Sequence, residues 1–360
     1  MKKAFFAFLL SLGFQVAWGE CNSRLAFQPS DETDEEKQDA VNLRVEGRGE
    51  YELAVGDGKK IDEDSGIRGK YLNVILSGEF AGKFSYMYRQ RMNKFSKDMY
   101  FFDATDFLYL NYKPVPQVTL SAGKQAVEVG GYEYERAPID IYYYSEFCNN
   151  VSCYAWGASV AYEFGKKNDK LLAQVCQSPY DNHQNDLYAY NLMWIGNHGI
   201  WKTRWSLNAV GISRGRHIGY LALGNEFQFS PHWRLQLDFI NRASRHQNLF
   251  DCYNITGELC YSPSKHVNIF AKGSYDTNDS HTDADQMVVQ GTHITLLGAG
   301  GEYLPLKGRL HDLVRLHAYY CYSFGRNTNP NGIIGDNQHH LNVGLTCRVD
   351  VFKLIKNKKL

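Results

Sequence analysis

The sequence has little proline, no net charge and, beyond its first 14 residues, no apolar run of the about 18 residues that a transmembrane helix needs. Its 39 basic and 39 acidic residues balance, so the strongly basic composition of a nucleic-acid-binding protein is excluded. The sequence contains no GxSxG elbow, HExxH helix, phosphate-binding loop or EF-hand loop. We therefore assign no catalytic residue, metal site or cofactor. Without a spanning helix, such a chain can cross a membrane only as a closed β-barrel.

The first 19 residues have the order of a secretory signal peptide. Two lysines precede an apolar stretch at 4–14, and small residues follow at 17 and 19. We predict cleavage after Gly19 and export of the mature chain to the outer membrane of a Gram-negative bacterium. Cys21 raises the alternative of a lipoprotein, but the acidic Glu20 before it disfavours this.

Aromatic residues are abundant, at 14% of the chain, with 25 Tyr and 20 Phe. A membrane barrel uses such residues in girdles at both interfaces of the bilayer. The composition therefore favours a barrel whose outer surface contacts lipid.

From residue 42 onward apolar and polar residues alternate, which is typical of strands with one apolar and one polar face. In one clear case, Trp201, Thr203, Trp205 and Leu207 alternate with Lys202, Arg204, Ser206 and Asn208. The sixteen predicted strands are 42–55, 70–78, 83–92, 106–113, 117–129, 154–164, 170–177, 186–195, 200–212, 218–229, 233–242, 250–261, 266–275, 293–303, 312–324 and 338–352.

The predicted fold is all-β: an antiparallel transmembrane β-barrel of sixteen strands over residues 42–352, with 14 or 18 strands as alternatives. An acidic linker at 20–41 precedes the barrel, and a basic tail at 353–360 follows it. Bacterial barrels have an even number of strands, short periplasmic turns and longer external loops. The even number requires residues 70–92 to hold two strands with a turn at 79–82.

The longest connection, at 130–153, is the third external loop in this scheme, and loops of this length are usually functional or disordered. Its charged residues are Glu133, Glu135, Arg136 and Asp140. Two interpretations stay open: a loop that folds inward and constricts a pore, and a plain surface loop.

The eight cysteines do not fit a disulfide framework, although the chain is exported. Cys252 and Cys260 share one strand and lie roughly 27 Å apart at about 3.4 Å per residue, too far for a bond. Only Cys148 and Cys153, within the long loop, form a plausible disulfide.

The polar face of the strands is richer in basic than in acidic residues, by twelve to seven where the alternation is clear. Such a surplus in a narrow pore favours anions, so we predict a mild anion preference, against the alternative of paired charges without net selectivity. The basic residues expected to line the pore are Lys83, Arg89, Arg91, Lys202, Arg204, Arg234, Lys272 and Arg315.

The segment 121–147 resembles the strand and loop of the phosphate-selective porin O and P family. It reads SAGKQAVEVGGYEYERAPIDIYYYSEF, and residues 68–91 resemble the early hairpin of that family. The resemblance implies a homo-trimeric outer-membrane channel of about sixteen strands, in some members binding phosphate on an arginine ladder and a lysine cluster of the third loop. The loop at 130–153 departs from this pattern, because it has Arg136 but no lysine.

We therefore predict an outer-membrane porin for passive diffusion of small hydrophilic solutes, anionic or neutral, that is not an enzyme. Two alternatives from other classes are a barrel enzyme of the phospholipase or lipid A-modifying type, and a surface adhesin or subunit of an uptake assembly. A secreted soluble β-sandwich is a more distant alternative.

Overall fold

The computed structural model describes residues 40–357 except 95–99, 166–168, 181–185, 245–246 and 331. The predicted signal peptide, Cys21 and nearly all of the acidic linker lie outside the described residues, as do the last three residues of the basic tail.

Sixteen long strands form one closed sheet, in which each strand pairs antiparallel with its neighbours in sequence. The strands are β1 Ala40–Gly56, β2 Gly66–Phe80, β3 Phe84–Arg91, β4 Thr105–Val115, β5 Val118–Ala126, β6 Tyr154–Phe164, β7 Asp169–Gln177, β8 Tyr188–Asn197, β9 Trp201–Ser213, β10 Arg216–Gln228, β11 Trp233–Ala243, β12 Cys252–Ser264, β13 Val267–Asn278, β14 His293–Tyr303, β15 Val314–Arg326 and β16 Gln338–Asp350. A two-residue strand, Lys59–Lys60, extends the first hairpin. The first strand closes the barrel, since Arg48 pairs with Thr346 of β16 on one side and with Tyr71 of β2 on the other. The prediction of a sixteen-strand antiparallel barrel is confirmed.

Helices are few and short. They are α1 Tyr132–Glu135, α2 Glu146–Asn150 and α3 Val351–Asn357, with single 3₁₀ turns at Asp62–Asp64, Met92–Lys94, Phe101–Ala104, Pro138–Asp140 and Gly308–Leu310. Among the described residues, none of the helices has the length and apolar character needed to cross a membrane.

The connections differ in length between the two edges of the barrel. One edge, called the turn edge, includes the tight turn at 81–83, and the opposite edge, called the loop edge, includes the long connections 92–104, 127–153 and 279–292. Residues 70–92 hold parts of two strands with a turn between them. The even number of strands required this arrangement, which is therefore confirmed. Bacterial barrels keep their long loops outside the cell.

Side chains alternate between the interior and the outer surface along each strand, because successive Cβ atoms point to opposite faces of a sheet. In β9, Ser206 and Asn208 are buried on the interior face, whereas Leu207 between them is 59% exposed on the outside. Apolar residues thus cover the outer surface, and most polar residues lie within.

Two strands end two or more residues before their predicted last residue. The predicted strand 117–129 ends at Ala126, because residues 127–131 leave the wall and enter the interior. The predicted strand 338–352 ends at Asp350, and α3 follows in place of the last strand residues and the start of the tail. The pairing of β15 with β16 begins only at Val314 and Cys347. The residues after Asp350 therefore have no β15 residue with which to pair.

Candidate functional site

Residues 127–153, called the inner loop, run through the interior of the barrel. The Gly130 N–H donates to Ser206 Oγ at 2.8 Å, and the Gly131 N–H donates to the Arg204 carbonyl at 3.2 Å. This approach requires glycine on both sides, because a Cβ on Gly224 of the wall would lie 2.7 Å from the Gly131 Cα. Of the two interpretations of this loop, the structure places it inside the barrel and not on its surface.

Two carboxylates of the wall cap the two helices of the inner loop. Asp238 accepts hydrogen bonds from the Tyr132 and Glu133 N–H groups, each at 2.8 Å. Asp276 accepts from the N–H groups of Glu146 and Phe147 at 3.0 and 3.1 Å. The first N–H groups of a helix have no partner within the helix, and a carboxylate satisfies them while it meets the positive end of the helix dipole. The wall therefore fixes the loop at two points.

Glu133 of the inner loop is bound on both sides. Its Oε1 lies 2.5 Å from Lys272 Nζ on β13, and its carboxylate accepts from the Ser145 N–H and Oγ at 2.9 and 2.6 Å. Burial by itself raises the pKa of this carboxyl, but Lys272 and Ser145 hold the pKa below its usual value. Glu133 is therefore ionised and ties the loop to the wall and to itself.

The other predicted loop residues also pair with the wall. Arg136 donates to both oxygens of Glu258, at 2.8 and 2.6 Å, which is the strongest geometry for an arginine and a carboxylate. Glu135 pairs with Arg204.

Asp140 meets two arginines, Arg315 at 2.6 Å and Arg348 at 2.5 Å. Burial opposes ionisation of the Asp140 carboxyl, but the two guanidinium groups hold its pKa well below the usual range. All four charged loop residues singled out in the sequence thus pair with an opposite charge on the wall.

The basic residues predicted to line the pore lie on interior-facing positions, with one exception, and most are paired. Arg89 and Arg91 share Asp106, at 3.0 and 2.6 Å, and Lys202 lies 3.2 Å from Glu226. The remaining ones are Arg204, Lys272 and Arg315, paired as described above, and Arg234, which contacts the Cys260 thiol at 3.4 Å.

Lys83 is the exception. It lies in the turn at 81–83 and is exposed, since β3 begins only at Phe84. The alternation of polar and apolar residues placed the start of β3 at residue 83, one residue too early, because this pattern does not mark where a turn ends and a strand begins.

One interior ion pair joins two residues that were not predicted to line the pore. Arg242 of β11 is completely buried, and its Nε lies 2.6 Å from Asp285, in the connection between β13 and β14. The Tyr180 hydroxyl donates to the same carboxylate at 3.0 Å, and the guanidinium lies over the Phe147 ring at 5.1 Å from its centroid. The parity that Arg242 shares with Arg234 would place it inside, but nothing in the sequence indicates that residue 285 folds into the barrel.

An apolar cluster, called the apolar plug, fills the interior at the loop edge. Wall residues and three inward-folded connections contribute its buried side chains: Val127, Val129, Phe147, Cys148, Val151, Ala155, Cys176, Tyr180, Ala189, Val210, Ile218, Tyr220, Ala222, Ile240, Met287 and Val288. Burial of side chains such as these contributes about 1.5–3 kcal/mol for each large residue. Part of the barrel interior is therefore a dry core.

Cys148 and Cys153, the predicted disulfide, are both free thiols in the structure. Cys148 lies within α2 and packs in the apolar plug, while Cys153 lies beyond the helix with its sulfur 3.5 Å from the Val151 carbonyl. In the described part of the chain, no group of three or more His, Cys, Asp or Glu side chains is arranged to hold a metal ion.

The closed sixteen-strand barrel, with a long loop folded inside it, is the architecture of a porin. The sequence model of the phosphate-selective porin O and P family matches residues 41–199. The resemblance inferred from the sequence is confirmed over that stretch.

Solved structures agree on the fold. An anion-selective porin from Comamonas acidovorans has a TM-score of 0.61 at 9% identity, with coverage of 87% of this chain and 100% of that one. The outer-membrane OmpT of Vibrio cholerae has a TM-score of 0.60 at 12% identity, with coverage of 88% and 100%. A trimer form of the same OmpT, folded in vitro, has a TM-score of 0.56 at 14% identity, with coverage of 86% and 99%. At such identities the similarity shows the fold alone. No curated protein sequence matches the chain significantly.

Proposed function

We propose that this protein is an outer-membrane porin, a channel for passive diffusion of small hydrophilic solutes, and that it is not an enzyme. The observation that carries the proposal is a closed barrel with a polar interior that solvent reaches from both edges. Near the loop edge, the side chains of Arg68 and Lys70 are 40% and 33% exposed. Near the turn edge, those of Arg44 and Lys202 are 40% and 35% exposed. The inner loop lies inside the barrel, and we expect it to set the narrowest part of the passage.

A mild preference for anions is part of the proposal. Two arginines, Arg89 and Arg91, share the single carboxylate of Asp106, which leaves a local positive charge. Charges on a low-dielectric wall concentrate counter-ions in the passage. Carboxylates of the inner loop neutralise much of the remaining basic surplus, so we expect a weak preference and not a strict filter.

The assembly we propose is a homo-trimer in the lipid bilayer. The outer surface carries large apolar side chains at membrane depth, among them Leu110, Val160, Leu192 and Leu237, all more than 40% exposed. These suit contact with lipid or with a second barrel, and one of the similar folds is known as a trimer form. Cross-linking of the protein in native membranes tests this: a ladder ending at three subunits supports the trimer, and monomers alone contradict it.

Swelling of liposomes that contain the purified protein tests the function. We expect neutral sugars to enter at rates that fall steeply with size, because a narrow opening hinders a solute more strongly as the size of the solute approaches that of the opening. Heat-unfolded protein is the control. Liposomes that never swell although the barrel is folded would contradict a porin, and release of fatty acids from the same liposomes would instead support a barrel enzyme.

A further inference from the structure

The interior wall differs in charge between two groups of strands. The ion pairs that bind the inner loop to the wall all involve strands from β9 to β16. On β4 to β8, called the neutral wall, charged residues face the interior only near the strand ends, at Asp106, Lys113, Glu163 and Lys170. The inner loop is thus bound to the charged side of the interior, and the neutral wall lies on the other side.

A continuous strip of hydroxyl and amide side chains runs from β3 onto the neutral wall. Its members pair directly across four strands: Ser85 with Asn111, Asn111 with Ser121, and Ser121 with Ser159. These four residues, called the neutral strip, are all partly exposed. Ser85 lies beside the turn at 81–83 and Ser159 is the middle residue of β6, so the strip runs from the turn edge to the middle of the barrel. With strands spaced about 4.8 Å apart, it is about 14 Å long.

The next member of this row is covered by the inner loop. Gln174 of β7 pairs with Ser159, but it is buried, and its Oε1 accepts from the Glu128 N–H at 2.9 Å. The neutral strip is therefore the part of the row that faces the passage.

The neutral strip keeps both donors and acceptors available. Asn111 Nδ2 donates to Ser85 Oγ at 3.1 Å, and Ser121 Oγ donates to Asn111 Oδ1 at 2.7 Å. An amide has two N–H donors, and a hydroxyl has one donor and two lone pairs, so part of this capacity stays open. A sugar hydroxyl both donates and accepts and can use both kinds of group, whereas a carboxylate only accepts.

An aromatic ring lies beside the neutral strip. Tyr109 is the next interior-facing residue of β4 on the loop-edge side of Asn111, and it is partly exposed. Its direct partner on β5 is Gly123, so no side chain covers the ring from that strand. The face of an aromatic ring is negative and packs against apolar C–H groups. A pyranose sugar has such C–H groups on its ring faces and hydroxyls around its rim.

We infer that the neutral strip and Tyr109 form a binding site for a neutral sugar, with the sugar hydroxyls on the strip and a ring face against Tyr109. The length of the strip accommodates two linked sugar rings. The inference names a solute class for the proposed porin and rests on that function for permeation, but binding itself does not require conduction.

Block of the channel current by cellobiose, a neutral disaccharide, tests the site in the full protein in planar bilayers. A sugar that binds in the passage reduces the current of the open channel in a saturating manner, whereas viscosity alone gives a reduction that does not saturate. We expect a saturating block in the wild type, weakened about 2- to 10-fold by Asn111→Ala, as for the loss of one hydrogen bond. Tyr109→Leu, which keeps an apolar side chain, should weaken the block too. A wild type without saturation overturns the site.

Asn268→Ala is the matched control. Asn268 lies on β13, on the charged side, where its Oδ1 accepts from Ser262 at 2.7 Å and its Nδ2 donates to Glu302 at 3.0 Å. It thus repeats the bonding of Asn111 away from the neutral strip, and Asn268→Ala should leave the block unchanged. Equal weakening by Asn111→Ala and Asn268→Ala would trace the effect to a loosened barrel and overturn the inference.

Isothermal titration calorimetry, in a detergent without a sugar headgroup, tests binding without conduction. Cellobiose should bind the wild type and Asn268→Ala alike, and Asn111→Ala more weakly. Tighter binding of sodium glucuronate, a sugar acid, than of cellobiose would place the site on basic residues and overturn the inference. A protein that binds cellobiose but never conducts would contradict the proposed porin and leave the site intact. One that conducts but does not bind cellobiose would contradict the site alone.

Discussion

The two edges of the barrel interior are built differently. At the loop edge, the apolar plug and the buried pair of Arg242 and Asp285 exclude water from part of the interior. At the turn edge, the side chains of Arg44, Lys170 and Lys202 stay 35–40% exposed. The same alternation of strand residues thus produces a packed core over part of the loop edge, beside the exposed Arg68 and Lys70, and a hydrated vestibule at the turn edge. Charges that act on a passing solute are concentrated where the interior is hydrated.

The largest expected effect is at the plug. Arg242→Ala leaves Asp285 buried without its cation, and breaking a buried pair costs about 3–5 kcal/mol. We expect the connection 279–292 to detach, which limited proteolysis detects as new cleavage there, and the conductance to rise because the interior opens at the loop edge.

The same connection provides a matched control for Arg242→Ala. Asp283 pairs with Arg216 at 3.4 Å, but both side chains are more than half exposed. Exposed pairs contribute about 0–1 kcal/mol, so Arg216→Ala should leave the protease pattern unchanged. Equal cleavage of the two variants would contradict a structural role for the buried pair.

A smaller effect is expected at the capped helices of the inner loop. Asp276→Asn removes the charge that binds the Glu146 and Phe147 N–H groups, and hydrogen bonds to charged groups contribute about 1.5–3 kcal/mol. Current through the variant should be noisier, because the loop is held less firmly. Asp350→Asn, at a partly exposed pair with Arg44, is the control, and a quiet Asp276→Asn channel would argue that the caps are dispensable.

Most of the fold could be predicted from the sequence, but the difference between the two edges of the interior could not. Period-two alternation and loop parity gave all sixteen strands and the interior position of Arg204 and Lys272. Neither could show that residues 279–292 fold inward, because tertiary packing and not local pattern decides where a loop lies. The acidic partners of the interior arginines could not be predicted for the same reason, because Asp106 lies on a neighbouring strand and Asp140 in the inner loop.

The pH dependence of selectivity is expected to be smaller again. Burial raises the pKa of Glu128, at the start of the inner loop, to about 7, and Arg204 only partly offsets this. Below that pH the carboxyl is neutral and the interior loses a negative charge, so anion preference should increase as pH falls through 7. Reversal potentials at several pH values measure this step, and Glu128→Gln should make it smaller. An unchanged step in the variant would assign it to another group.

The sign for stability follows from the same raised pKa. A carboxyl that holds its proton more tightly when folded stabilises the fold fully below its usual pKa of 4.5, and this contribution is lost as pH rises through about 7. Glu128→Gln should therefore flatten that part of the stability profile, as followed by urea unfolding.

The smallest effect is expected at the turn edge itself. Lys83 is exposed in its turn, and charges in free contact with solvent are screened within about 8–10 Å at physiological salt. Lys83→Gln should therefore leave the reversal potential unchanged. A clear shift would show that the vestibule extends to the turns.

Single-channel recording of the purified wild-type protein in a planar bilayer is the most direct test of a water-filled passage beside the inner loop. We expect stepwise openings of uniform size and a current proportional to voltage at low potential. In a salt gradient, the reversal potential should shift weakly towards the equilibrium potential of the anion. A protein that is folded, as judged by heat-modifiable migration on a gel, but never conducts would contradict the proposal.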